Sequence, residues 1–352
     1  MIVKTETIDS RLENWINEYQ PDKIVVVSSE TSFKLCLPHL SIHKKIDNII
    51  YRLPDGESAK TIDYCQDFWS AMMRNEVTRK SVIIAIGGGA VLDFAGFCAS
   101  VFMRGIACIY IPTTLLSMVD GSEGGKTGIN FYGTKNIIGT FTKPNAILRN
   151  VDFLSSLPQT EVLSGWAEII KHGILQGSVI WDMVKNGIPS FDDEEYWMEL
   201  VRQNIQFKKI ITDADFKEKG QRKLLNLGHT IGHGLEALYF EDETMTHGKA
   251  VANGIYWETK LAMELGFTTI ETLESIEKLI FPLYPRVTWN NLQVEEIGNL
   301  LLHDKKNENG WIHFTFCKTI GTAEYNIEVS KKRICDFLEK HAVDAENIAD
   351  IL

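Results

Sequence analysis

The sequence predicts an α/β N-terminal domain built on a parallel, Rossmann-like sheet, followed by a mostly α-helical C-terminal domain with a small hairpin. Three observations predict this. Short β-branched runs alternate with helical stretches over the first 150 residues, the alternation stops near residues 150–160, and strand chemistry returns only close to the end. A chain of 352 residues suits two domains, and the change in pattern places them at 1–158 and 159–352.

The elements follow in order. Lys23-Ile24-Val25-Val26-Val27 and Asn48-Ile49-Ile50-Tyr51 are the first two strand-like runs, and Ser58 to Arg74 then shows helical periodicity. Ser81 to Ile86 and Ala107 to Ile111 are the third and fourth runs. Continuous apolar runs separated by helices indicate strands buried on both faces, as in a parallel sheet. Beyond the boundary, Thr160 to Leu175 reads as a helix, and Asp192-Asp193-Glu194-Glu195 places acid where a helix macrodipole favours it. Gly248 to Leu265 is helical until Gly266 stops it, and Thr268-Thr269-Ile270-Glu271 has capping-box spacing. Trp311 to Phe316 and Tyr325 to Val329 are expected to pair as the hairpin.

Composition removes several function classes. With 44% hydrophobic and 24% charged residues the chain is an ordinary globular one. Its 36 basic and 47 acidic residues give a net charge of −11, which argues against nucleic acid or an anionic membrane as partner. No run approaches the roughly 18 apolar residues of a membrane span. The Met1 to Glu6 stretch is not expected to be a signal peptide, and the six scattered cysteines form no CxxC pair. A cytoplasmic protein with reduced thiols is expected.

Four motifs carry chemistry. Gly87-Gly88-Gly89 follows the third strand and precedes a helix, where glycines let a pyrophosphate approach the backbone; a plain tight turn is the competing reading. Asp120 to Asn130 holds four glycines and the run Gly125-Lys126-Thr127. A Walker loop would need glycine at position 120, so the segment is expected to be an anion-binding loop, not an NTPase site. His229 and His233 lie four apart on one helix face, with His247 downstream and Glu168 upstream, a donor set suited to a divalent metal. The spacing is not HExxH, which disfavours a peptidase. His303-Asp304-Lys305-Lys306-Asn307 interrupts a leucine run, either as a solvated helix end or as an anion contact.

Taken in order, these segments resemble the 3-dehydroquinate synthase family of sugar-phosphate cyclases. The match runs from Pro54-Asp55-Gly56-Glu57-Ser58-Ala59-Lys60 through residues 87–97, Met103-Arg104-Gly105, residues 112–130 and Lys135-Asn136. It continues through Ala167-Glu168-Ile169-Ile170-Lys171, residues 220–233, His247-Gly248-Lys249-Ala250-Val251 and Asp304-Lys305-Lys306. The resemblance implies a lyase of the shikimate pathway. Such an enzyme converts 3-deoxy-D-arabino-heptulosonate 7-phosphate to 3-dehydroquinate and phosphate, by transient oxidation with NAD, elimination, re-reduction and aldol closure.

It further implies zinc or cobalt on Glu168, His229 and His247, moving His233 from the metal to the substrate. NAD would be lined by Glu57, Lys60, Gly88, Gly89, Asp93, Thr113, Thr114, Asp120, Lys126 and Lys135. Substrate would meet Lys126, Asn136, Lys171, Lys208, Arg222, Asn226, His233, Lys305 and Lys306, with Arg104 reaching across a homodimer. Catalytic roles would fall to Asp120, Lys126, Asn136, Lys171 and His233. Glu123 departs from a small apolar residue usual in the family, and Lys249 from an acid. Two alternatives stay open: a cyclase of the valiolone or inosose type, and a metal-dependent polyol dehydrogenase related to glycerol dehydrogenase.

Overall fold

The structure is a computed structural model that describes residues 7–41, 49–239, 245–302 and 311–343. It divides into two compact units, Met1–Pro158 with Phe191–Val201, and Gln159–Ser190 with Arg202–Leu352.

In the first unit, helix α1 (Ile8–Tyr19) leads into strand β1 (Ile24–Ser29), helix α2 (Glu30–Leu35) and strand β2 (Ile49–Leu53). Helix α3 (Ile62–Arg74), strand β3 (Val82–Gly87), helix α4 (Gly89–Val101) and strand β4 (Ala107–Pro112) complete the alternation. An antiparallel pair follows, β5 (Lys126–Phe131) and β6 (Thr134–Phe141), and then the short β7 (Ala146–Ile147). The main sheet is parallel, in the order β2-β1-β3-β4-β7. Every residue of β3 and β4 is buried, which is why their sequences are continuously apolar and do not alternate. Phe68 of α3 and Phe94 of α4 are fully buried, with ring centroids 5.7 Å apart. Each contributes about 1.5–3 kcal/mol by leaving water.

The pair β5–β6 corrects one expectation. The glycine-rich segment around Lys126 is not a loop throughout; from Lys126 onward it is a strand. Gly128 lies opposite Gly139, and a Cβ on Gly139 would sit 2.2 Å from the Thr127 carbonyl oxygen. The glycines there allow two backbones to approach.

The second unit is mostly helical. It contains α5 (Gln159–Gln176), α6 (Val179–Val184), the later turns of α7 (Glu194–Ala214), α8 (His229–Leu238), α9 (His247–Glu264), α10 (Ile270–Ile280) and α11 (Val294–Leu302). The hairpin β8 (Trp311–Thr319) and β9 (Thr322–Ser330) precedes α12 (Lys331–Lys340). Residues 162 to 175 of α5 are almost all buried, so its apolar sequence is that of an interior helix. The capping expectation at α10 shifts by one residue. Thr269, not Thr268, accepts the Thr272 amide, while Thr268 donates instead to the Lys318 carbonyl at 2.7 Å.

Candidate functional site

The first unit carries the nucleotide-type features at the carboxyl ends of its strands. Strand order reverses between β1 and β3, and open parallel sheets bind ligands at such a point. There Gly87 closes β3 against α4, since a Cβ would meet the Val91 side chain at 2.7 Å. Gly88 is the N-cap and supplies no side chain to the first turn of α4, while a Cβ on Gly89 would meet nothing within 4 Å. A helix start left uncapped beside open space suits a pyrophosphate. Thr113 and Thr114 follow β4; the Thr113 amide donates to the Gly87 carbonyl at 3.0 Å.

Lys60 anchors a second group of residues. Its side chain is 1% exposed and its Nζ donates to Asp93 Oδ2 at 2.8 Å and Asn136 Oδ1 at 2.6 Å, with Glu57 Oε2 at 3.4 Å. Asn130 ties the same residues together, donating to Glu57 Oε2 at 3.0 Å and accepting the Asn136 amide at 3.0 Å. Glu57, Lys60 and Asp93, expected together at NAD, thus share one network with Asn136, expected at the substrate, and with Asn130, which was not among the expected site residues. Lys126 and Lys135 are exposed on β5 and β6, and Asp120 is half-buried on the short helical turn before β5. Arg104 is exposed on a turn where Met103, Arg104 and Gly105 have φ of 49°, 68° and 114°.

Glu123 meets Arg149. The guanidinium Nη2 lies 2.6 Å from Glu123 Oε1 and donates to Ser122 Oγ at 3.0 Å, and Nε donates to the Met118 carbonyl at 2.9 Å. One arginine therefore holds three points of the turn that bears Asp120.

The second unit gathers Glu168, His229 and His247, with one ligand-type atom from each lying within 4.8 Å of the others. Glu168 comes from the middle of α5, and the two histidines are the first residues of α8 and α9. Both imidazole Nε2 atoms lie 3.4 Å from Glu168 Oε1. His229 Nδ1 is 3.1 Å from the Leu227 carbonyl, so the proton belongs on Nδ1 and the Nε2 lone pair faces the cluster. His247 Nδ1 faces Glu236 Oε2 at 3.6 Å, the arrangement in which an acid orients a metal-binding imidazole.

The electrostatics fit a cation. Burial alone would raise the Glu168 carboxyl, but Lys171 and the two histidines outweigh it and hold it well below the usual range. Burial and Lys171 push His229 down to about 3, against the pull of Glu168. Burial also opposes charge on His247, yet hydrogen bonding to Glu168 and Glu236 wins and raises it to about 10. Both Glu168 oxygens are buried; Oε2 pairs with the Lys171 ammonium, and Oε1 faces both imidazole Nε2 atoms. Two imidazole nitrogens and a carboxylate around such an acceptor-rich point match the donors of zinc or cobalt. His233 is one turn further along α8, exposed, its ring edge-on to His229 at 5.3 Å and outside the ligand group.

Other cations of this unit are buried as well. Lys171 is 2% exposed, Lys208 6% and Arg222 4%. Arg222 is fixed by its Nη1 donating to the Phe216 carbonyl at 2.7 Å, and Asn226 donates to Glu218 Oε1 at 3.0 Å. Lys305 and Lys306 lie outside the described residues.

With this geometry in place, the comparisons decide the family. A sequence profile described as 3-dehydroquinate synthase N-terminal matches residues 50–164, and one described as 3-dehydroquinate synthase C-terminal matches residues 165–307. The chain belongs to the 3-dehydroquinate synthase family. A 3-dehydroquinate synthase of Parabacteroides distasonis is 34% identical over 342 residues, covering 96% of each chain. That of Pyrococcus furiosus is 37% identical over 337 residues, covering 94% of this chain and 96% of its own. Among solved structures, 2-deoxy-scyllo-inosose synthase with carbaglucose-6-phosphate, NAD+ and Co2+ is 22% identical at a TM-score of 0.83, covering 96% and 95%. A 2-epi-5-epi-valiolone synthase from Streptomyces hygroscopicus with NAD+ and Zn2+ is 24% identical at 0.79, covering 90% of both chains. These two likenesses establish the shared fold of an α/β unit and a mostly helical unit. No helix among the described residues is long and apolar enough to cross a membrane.

Proposed function

We propose that the chain converts 3-deoxy-D-arabino-heptulosonate 7-phosphate to 3-dehydroquinate and inorganic phosphate, as a cytoplasmic homodimer using NAD and a divalent metal. The observation that carries this reading is the Glu168–His229–His247 cluster, with Lys171 paired to Glu168, in a chain of this family; Lys208 and Arg222 are further buried cations of the same unit suited to a dianionic substrate.

Glu168, His229 and His247 would hold the metal, and Gly88, Gly89, Asp93, Thr113 and Thr114, with Glu57, Lys60 and Lys135, would line the nucleotide. Bound NAD supplies reversible hydride transfer, and the metal supplies a Lewis acid for the substrate's hydroxyls. The residues of the chain contribute binding and orientation. Arg222, its guanidinium fixed by the Phe216 carbonyl, grips phosphate oxygens in a planar fork, and Lys208 adds a point charge. Lys126 and Asn136 bind the carboxylate end, with Asn136 held by Lys60. Lys171 beside Glu168 faces substrate oxygens, Asn226 donates to them, and Asp120 accepts. His233 Nε2 carries a proton to and from the departing phosphate. Lys305 and Lys306 extend the anion site, and Arg104 serves the active site of the second copy. Positioning on this scale replaces strong acid–base chemistry.

Phosphate release from heptulosonate phosphate compared with sedoheptulose 7-phosphate tests the substrate. The proposal expects turnover of the first alone; release from the second alone would move the chain to the valiolone-type cyclases.

A further inference from the structure

One buried carboxylate lies outside the ligand cluster and touches the frame that carries it. Glu258 is 0% exposed on α9. Its Oε2 accepts the Gly228 amide at 2.7 Å, and its Oε1 accepts the Ile231 amide at 2.9 Å. Those amides flank His229, and amides at a helix start have no carbonyl partner within their own helix. Gly228, the N-cap, offers no side chain to them. The carboxylate of another helix therefore does what a capping side chain does locally, and as an anion at a helix N-terminus it also complements the macrodipole.

The geometry around it is tight. Gly228 has φ of +79°, and a Cβ there would sit 2.4 Å from Ile255 Cγ1. A Cβ on Gly254, one turn before Glu258, would sit 1.9 Å from the Gly228 carbonyl oxygen. The start of α8 thus rests backbone to backbone on α9, and Glu258 fixes its register with two bonds. α9 itself begins at His247, whose ring centroid lies 5.7 Å from that of His229.

We propose that Glu258 is a positioning residue for the metal centre: by capping α8 from α9 it holds His229 at the distance from His247 that a shared ion needs. This rests on the metal reading given above. Glu258→Gln keeps one acceptor and turns an NH2 group toward the second amide, so one of the two bonds is lost. The test measures zinc affinity of the full chain by chelator competition, the visible spectrum of the cobalt-loaded protein, and thermal unfolding of the metal-free protein. Leu261→Ala, at a fully buried position of the same helix, serves as the control for lost stability.

Glu258→Gln should bind zinc roughly 10–100-fold more weakly, the usual effect of losing an outer partner of a ligand, and should shift the cobalt bands. Leu261→Ala should melt earlier yet bind zinc as the unaltered chain does. Zinc binding by Glu258→Gln within about twofold of the unaltered chain, with an unchanged cobalt spectrum, would overturn the proposal. Equal weakening in Leu261→Ala would overturn it too, by reducing Glu258 to general stability. An unaltered chain that binds neither metal refutes the underlying metal reading and the proposal with it. If Glu258→Gln does not fold, Glu258→Asp, which keeps the charge on an arm one methylene shorter, is read by the same criteria.

Discussion

Replacing Lys60 by Met keeps most of the volume of a side chain that is 1% exposed and removes its charge. The variant withdraws the ammonium from Asp93, whose side chain is 25% exposed and whose Oδ2 accepts from Lys60 at 2.8 Å, and from the Asn136 oxygen at 2.6 Å. Glu57, 46% exposed and 3.4 Å away, loses little because water screens it. Losing hydrogen bonds to a charged group at a partly exposed carboxylate and an amide costs about 1.5–3 kcal/mol. For a unit of this size each kcal/mol lowers Tm by about 2–4 °C, so Lys60→Met should melt roughly 3–12 °C earlier by scanning calorimetry. NAD affinity, read by titration calorimetry, should fall as well, because Asp93 and Asn136 lose the group that orients them. A variant that melts within about 2 °C of the unaltered chain and binds NAD equally would refute the reasoning.

Other outcomes are as specific. His229→Ala should lose bound metal and activity together, whereas His233→Ala should keep the metal and lose turnover; metal analysis showing the reverse would exchange their roles. A double-mutant cycle on Glu123 and Arg149, each side chain 15% exposed, should give a coupling of about 1.5–3 kcal/mol in urea unfolding. A coupling near zero would make the pair ornamental. His341 is held below its ordinary pKa of 6.5 by burial, against the pull of Glu264 at 2.7 Å. Its contribution is therefore full above pH 6.5 and is lost as pH falls through the lowered value. His341→Gln should show a flatter Tm profile between about pH 6.5 and 5 than the unaltered chain, and an equally steep one would count against this.

Much of this architecture was legible because burial writes itself into composition. Val82 to Gly87 and Ala107 to Pro112 are buried at every position, so their runs are uninterrupted and need no periodicity to be found. The β5–β6 pair was not legible. Its glycines, needed where Gly128 passes Gly139, are the residues that usually signal a loop. At the metal centre, spacing within one helix offered His229 and His233 together. The cluster instead joins Glu168, His229 and His247, because the starts of two helices meet the middle of a third. Local periodicity does not encode such a meeting. Glu258 could have been suspected, as a lone acid in the apolar stretch from Ala250 to Ala262, but its two amide partners belong to another helix. Arg149 gave no signal at all, since its three partners lie 26 to 31 residues away in sequence.

The most direct measurement is phosphate release from 3-deoxy-D-arabino-heptulosonate 7-phosphate, followed together with absorbance of NADH, with and without added NAD and a chelator. The account predicts release that requires both NAD and metal, with no net accumulation of NADH, because each turnover returns the hydride it takes. Stoichiometric NADH without phosphate would contradict it and mark the chain as a polyol dehydrogenase.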